Sequence, residues 1–371
     1  MNWLNSDRMR LMLIGIMAGI IFCGGRAKAD FTFGEPTNLG STVNSTYSDG
    51  PGAESPDGLE LYIGSARPPD SESSCGIWIS TRRTLEDAWE APVRLPTPLN
   101  VSPDDWWAEC ISADGLELYG ESGEFGGSGD SDIWLATRAT KDAPWSTLTY
   151  LDSPINSSSH DWIGSISVDG LELYLSSTRP GGYGNHDLYM AKRETPNDAW
   201  GPPVNLGPLV NSSDFDGNPL ILPDGLTLYF GSWRDGGYGE ADIWVTKRAT
   251  LEDPWGAPIN LGPYINTNAY DDVPKLSYDA SLLYICSDRP GGFGGTYGDV
   301  WQVPIIPIVD FNGDRIVDAD DICVMVDHWG EDYSLCDIGP TPFGDGVVDV
   351  QDLIVLAEHL FEKLPGRPIN P

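Results

Sequence analysis

Between Asp310 and Asp321 oxygen-bearing side chains fall at fixed intervals: Asp310, Asn312, Asp314, Asp318 and Asp321 occupy loop positions 1, 3, 5, 9 and 12, and Ile316 offers its backbone carbonyl at position 7. A hard cation such as calcium takes six to eight oxygens in a flexible cage, and this spacing curls the chain around one ion. The pattern is duplicated. Asp314, Asp318, Asp321 and Ile322 recur 31 residues later as Asp345, Asp349, Asp352 and Leu353, with Val347 at the carbonyl position and His359 in the place of His328. Asp337 is the candidate first ligand of the second loop. After each loop, Ile322, Met325, Val326 and Trp329, and Leu353, Leu356, Ala357 and Leu360, follow the i, i+3, i+4, i+7 stripe of an amphipathic helix. Neither stripe can be buried alone, so the two loop-helix units are expected to cover each other.

A second set of acids lies upstream. Asp49, Asp105, Asp161, Asp216 and Asp271 each stand eight or nine residues before a recurrent turn. Glycoside hydrolysis needs two carboxyl groups at a defined separation, but an acid present in every repeat reads first as a hydrogen-bonding device between repeats. Catalysis has to break symmetry, which leaves Glu54, Trp106, Trp107, Glu109, His160 and Lys275 as the asymmetric candidates. Trp106 and Trp107 could stack on sugar rings, with packing between repeats as the simpler role. No zinc spacing, nucleophile elbow or phosphate-binding loop is present.

The elements that position these residues come from an internal repeat. Asp57-Gly58-Leu59-Glu60-Leu61-Tyr62 returns at Asp114, Asp169 and Asp224, and more loosely at Asp279. Each unit reads as a four-stranded meander. A first strand ends at the Asp-Gly turn, a second carries Leu171, Leu173 and Leu175 on one face, a glycine-rich turn such as Arg179 to Gly184 follows, and a third strand opens at Asp187. A fourth, proline-bearing strand suits an outer edge. Arg179, Arg234 and Arg289 are expected to pair with Asp187, Asp242 and Asp299 of their own units, which leaves open a pairing of Arg67 with Asp132 across a boundary. One small sheet per 55 to 57 residues fits a propeller blade. The last unit stops after its third strand, while Phe33 to Gly40 matches the fourth-strand pattern, so the N-terminal segment should close the fifth blade. The fold expected is mainly β: a five-bladed propeller over 30–306, with a small helical calcium-binding module over 307–371.

The phrases Asn205-Leu206-Gly207, Asp224-Gly225, Arg234 to Gly239 and Asp242-Ile243-Trp244 resemble the TolB-type, WD-like propeller repeat of exported bacterial proteins. That resemblance implies a fold and no activity. The segment from Asp310 to Glu362 resembles a dockerin type I module, which implies calcium at the two loops and a cohesin-like extracellular partner. Two features depart from that family. Arg315 stands where such loops turn on glycine, and Asp337 and Asp345 are four residues further apart than Asp310 and Asp314.

Residues 1–29 carry Arg8 and Arg10, an apolar run from Leu11 to Cys23, and Ala27-Lys28-Ala29 before Asp30. This is the pattern of a cleaved signal peptide, so a secreted, extracellular or periplasmic protein is expected. With 56 acidic against 21 basic residues the formal charge is -35, which disfavours nucleic acid and anionic membrane surfaces as partners. Five cysteines remain after cleavage, and Cys323 with Cys336 is the expected bridge. Two function classes follow. One is a secreted calcium-binding dockerin protein whose propeller recognises a protein or glycan. The other is a secreted glycoside hydrolase acting on polysaccharide.

Overall fold

The computed structural model describes residues 31–69, 75–100, 107–123, 127, 129–294, 298–307, 309, 311–312, 316–331, 336, 338 and 347–361. Alternation of apolar and polar residues between Asp-Gly turns and glycine-rich turns produces five antiparallel sheets arranged as propeller blades. In the third blade the strands run Asp161–Ile166, Glu172–Ser177, Asp187–Lys192 and Val204–Asn205, each paired with the next. The inner strands Asp49–Glu54, Trp107–Ile111, Asp161–Ile166, Asp216–Ile221 and Asp271–Leu276 contact one another in succession, and the last touches the first. They form the wall of the central channel.

The fifth blade is completed from the other end of the chain. Thr37 and Asn38 pair with Gln302 and Trp301, and Phe31–Phe33 pairs with Ile305–Pro307 on the same strand. Closure this way covers the outer edge of the strand Asp299–Pro307.

Blades bury both faces. The motif tyrosines Tyr62, Tyr119, Tyr174, Tyr229 and Tyr284 are the largest fully buried side chains, and three of them donate their hydroxyls to the motif glutamates Glu60, Glu117 and Glu172. Arg248 of the fourth blade reaches back to Glu172 of the third at 2.8 Å while stacking over Trp255. Arg138 lies over Trp145 and faces Glu60 at 3.5 Å in the same way. These two arginines staple blades two and four to their predecessors, a device the repeat reading did not assign. The Asp-Gly turns hold Gly58, Gly115, Gly170 and Gly225 at positive φ, and in the degenerate fifth repeat Ala280 is held at φ 55.

The arginine before each glycine-rich turn does not pair with the aspartate of the third strand. Arg67, Arg179, Arg234 and Arg289 instead meet Asp49, Asp161, Asp216 and Asp271 of the inner strands at 2.5 to 2.6 Å, and these acids are completely buried. Arg67 therefore pairs within its own blade and not with Asp132. The third-strand acids are already committed. Asp187 accepts from Tyr183 N, Gly184 N and Asn205, and Asp242 accepts from Tyr238 N, Gly239 N and Asn260. The inner acids fasten the connector from the preceding blade: Asp161 accepts from Ser157 N, Ser157 Oγ and Ser177 Oγ, while Arg179 also donates to Ile155 O. In the second blade the sequence has Trp106 and Glu124 at the matching places, with Asp105 one residue earlier, and all three lie outside the described residues.

The C-terminal segment forms two nine-residue helices, Ala319–Asp327 and Val350–Glu358, capped by Asp318 and Asp349 in capping boxes with Asp321 and Asp352. Met325, Val355 and Leu356 pack with Val309, Phe311, Val317, Cys336, Ile338 and Val348. The stripe is rotated from the sequence expectation, because Val324 and Val355 turn inward while Val326 and Trp329 are exposed. Cys323 and Cys336 are both free thiols, contrary to the bridge expected. Cys323 is exposed on its helix whereas Cys336 is fully buried in the module core, so the two side chains face different environments. No helix among the described residues is long and apolar enough to cross a membrane.

Candidate functional site

Every inner strand carries a β-bulge at the same level, opposite the motif tyrosine. A bulge re-aims the residues beside it. In the second blade the extra residue is Glu109, between Ala108 and Cys110; in the fifth the irregularity runs from Asp272 to Lys275. Val273 is held at φ 54 and Asn218, at the matching place in the fourth blade, at φ 52. A β-branched residue in the left-handed region stores about 1 to 3 kcal/mol of strain, so the surrounding channel wall must over-determine it.

The bulges bring an asymmetric charged cluster into the channel. Lys275 Nζ donates to Glu109 Oε2 at 2.5 Å and to Gly164 O at 3.3 Å. Blades two and five are not neighbours in a ring of five, so this ion pair spans the channel. Asp272 accepts from Tyr270 Oη at 2.9 Å and from Val273 N at 2.6 Å. Glu121 faces Trp107 in the next strand, and its Oε2 is buried with no hydrogen-bond partner among the described residues. Burial holds the Asp272 carboxyl up at about 6, with the Glu109 charge adding to it. Burial and then Glu109 push Glu121 well above the ordinary carboxylate range, and Lys275 opposes them. The Cys110 thiol beside this group is pushed up to about 12, chiefly by burial.

Of the sequence candidates, the structure brings Glu109 and Lys275 together. Trp107 begins the inner strand of the second blade, and Trp106 lies outside the described residues. Glu54 sits instead at the seam between the first and fifth blades, 3.0 Å from Arg82, with its carboxyl raised to about 7 by burial despite that arginine. His160 is 3.6 Å from Asp130 and joins a group of rings with Trp162, His186, Phe215 and Trp233. Glu121 and Asp272 were not picked out from sequence. The signal was present: Glu121 replaces Gly64, Ser176, Gly231 and Cys286 of the other repeats, and Asp272 replaces Gly50, Trp107, Trp162 and Gly217.

The two acidic loops are partly described. Asp321 is fully buried and accepts from Phe311 N, Asn312 N and Asp318 N, and Asp352 is fully buried and accepts from Ile338 N and Asp349 N. Ile316 and Val347 are exposed at the rims of these turns. Asp310, Asp314, Asp337 and Asp345 lie outside the described residues, and no group of three or more acidic, histidine or cysteine ligands is assembled among those described. The donor chemistry is all oxygen, which suits a hard cation.

No family model matches the chain, and no curated protein matches it. Solved structures are similar at the level of overall architecture. An α-L-arabinofuranosidase from Lactobacillus brevis has 15% identity and a TM-score of 0.44 over 67% of this chain and 86% of its own. An α-L-arabinofuranosidase from Podospora anserina has 12% identity and a TM-score of 0.43 over 74% and 96%. A xylan β-1,4-xylosidase from Bacillus halodurans has 17% identity and a TM-score of 0.42 over 71% and 53%. Likeness of this degree carries no argument about activity.

Proposed function

We propose that this chain is an extracellular glycoside hydrolase whose acids lie in the propeller channel, carried with a TolB-like propeller repeat and a calcium-binding, dockerin-like module that tethers it to a cohesin-like protein. The observation that supports the hydrolytic reading is the meeting of non-repeated carboxyl groups from blades two and five in different electrostatic settings. Glu109 lies 2.5 Å from Lys275 Nζ, while burial raises the Asp272 carboxyl to about 6. Acid-base cleavage of a glycosidic bond uses such a division, one carboxyl giving a proton to the leaving oxygen and one carboxylate activating water or attacking the anomeric carbon.

The test is turnover of arabinoxylan, aryl α-L-arabinofuranosides and aryl β-xylosides by the full chain, substrates suggested by the names of the similar structures. Asp272→Asn and Glu109→Gln should each lower kcat by about 100-fold or more with the fold intact. Turnover at the parent level by both variants, or none by the parent protein across a polysaccharide panel, overturns hydrolysis.

A non-catalytic glycan-binding propeller is the second reading. It is favoured by the burial of Glu109, Lys275 and Asp272, which are only 4%, 4% and 1% exposed, as a structural plug would be.

For the C-terminal module, the described acids provide the reading's support: Asp318 and Asp349 start the helices, and Asp321 and Asp352 draw the loop amides inward. Asp310, Asn312, Asp314, Ile316, Asp318 and Asp321 would hold one calcium ion, and Asp337, Asp345, Val347, Asp349 and Asp352 the other. Bound calcium would neutralise the crowded carboxylates and fix the loops, which is a folding role and not a step in the chemistry.

A further inference from the structure

We propose that the rings gathered over blades three and four form a binding strip for a neutral polysaccharide, leading the chain toward the channel acids; this rests on the glycan-active reading above. The rings are contiguous. Trp162 stacks on His186 with centroids 4.3 Å apart, His186 lies 5.1 Å from Phe215, and Phe215 lies 5.4 Å from Trp233. Trp233 is 55% exposed, so one end of the strip opens to solvent.

His186 and Trp233 have no ring at the matching place in any other repeat. Where blade three has Trp162, blade two has Trp107, and blades one, four and five have Gly50, Gly217 and Asp272. Where blade four has Trp233, the others have Ala66, Gly123, Thr178 and Asp288. A framework role shared by all blades would not account for His186 and Trp233, which occur in one blade each.

The strip joins the acids through two glycines. Gly217 and Gly231 are direct partners in the ladder of blade four. A Cβ on Gly217 would come within 2.3 Å of the Phe215 ring, and a Cβ on Gly231 would collide with the Asp272 carboxylate. The Phe215 ring and the Asp272 carboxyl therefore pack on neighbouring glycines, and the aromatic surface ends where the channel cluster begins. Between these ends, both nitrogens of His186 are buried with no hydrogen-bond partner among the described residues.

Charge selects the occupant. Asp130 lies 3.6 Å from His160 at one end and Asp272 lies at the other, within a chain of formal charge -35. A polyuronate would be repelled, whereas a neutral sugar ring presents an apolar face to an indole and asks for no counter-charge.

Affinity electrophoresis of the full chain tests this, with a β-glucan, a mannan, a xylan or polygalacturonate in the gel. Asp272→Asn serves as background so that turnover does not erode the polymer. At least one neutral polymer should retard the protein and polygalacturonate should not. Trp233→Ala should weaken retardation about fivefold to tenfold, Trp233→Phe should keep most of it, and Tyr264→Ala, an exposed ring outside the strip, should change nothing. Retardation by no neutral polymer, equal retardation of Trp233→Ala and the parent, or preference for polygalacturonate overturns the strip. Retardation that depends on Trp233 together with no product from the protein carrying Asp272 supports the strip and overturns only hydrolysis.

Discussion

Lys275 of the fifth blade and Glu109 of the second form an ion pair across the channel at 2.5 Å, with both side chains about 5% exposed. Removing one member leaves an uncompensated buried charge, which costs about 3 to 5 kcal/mol. Lys275→Met alone should therefore lower stability by roughly that amount, and the double variant Glu109→Gln with Lys275→Met should recover most of the loss. Additive losses in urea unfolding would show that the two charges do not depend on each other.

Arg234 and Asp216 should show strong coupling in a double-mutant cycle, whereas Arg234 and Asp242 should show little. The first pair is joined at 2.5 Å with Asp216 completely buried, and Asp242 is bound instead to turn amides and Asn260. About 2 kcal/mol or more of coupling is expected for the first cycle and under about 0.5 for the second. The reverse order would contradict the arrangement of the blades.

Deleting residues 31–40 should lower the melting temperature of the propeller by far more than deleting 365–371. The N-terminal strands supply the pairing of Phe31–Phe33 and Thr37–Asn38 with Asp299–Pro307. Their loss opens the ring and exposes a strand edge. Equal melting temperatures would argue against closure by strand exchange.

Glu54 makes the closing seam pH-dependent. Burial raises its carboxyl from 4.5 to about 7, against the pull of Arg82, so the folded state holds this proton more tightly than the unfolded chain does. Its contribution to stability is then fully present below about pH 4.5, falls as pH rises toward 7, and is flat above. Glu54→Gln should gain on the parent protein between pH 5 and pH 8 by on the order of 3 kcal/mol. A difference that does not change with pH would mean that this carboxyl is ionised throughout.

Calcium should order the C-terminal module of the full chain. Hydrogen exchange of the helices Ala319–Asp327 and Val350–Glu358 should slow on adding calcium and quicken on chelation, with the propeller amides unchanged. Asp321→Ala with Asp352→Ala should abolish the response. Calcium-independent protection would remove the metal reading of both loops.

Much of this molecule was legible in the sequence because repetition amplifies weak signals. The motif ending in Tyr62 is ambiguous alone, but five occurrences fix the strand order, the turn positions and the blade count. The mismatch between the first and last units shows how the ring closes. The two helices were likewise visible from their apolar stripes, whereas the capping role of Asp318 and Asp349, read from sequence only as ligands, emerged from the structure.

What only the tertiary structure decided is which repeated charges meet. Arg179 is closer in sequence to Asp187 than to Asp161, yet it pairs with Asp161, because the turn amides and Asn205 had already claimed Asp187. The thiols of Cys323 and Cys336 flank one short segment, but Cys323 faces solvent from its helix and Cys336 is buried in the module core from the segment between the helices. The channel cluster is the extreme case. Glu109, Asp272 and Lys275 are separated by up to 166 residues, and only closure of the ring and the bulges in its inner strands bring blade two to face blade five, since side-chain direction across a channel is set by the whole circle and not by any one strand.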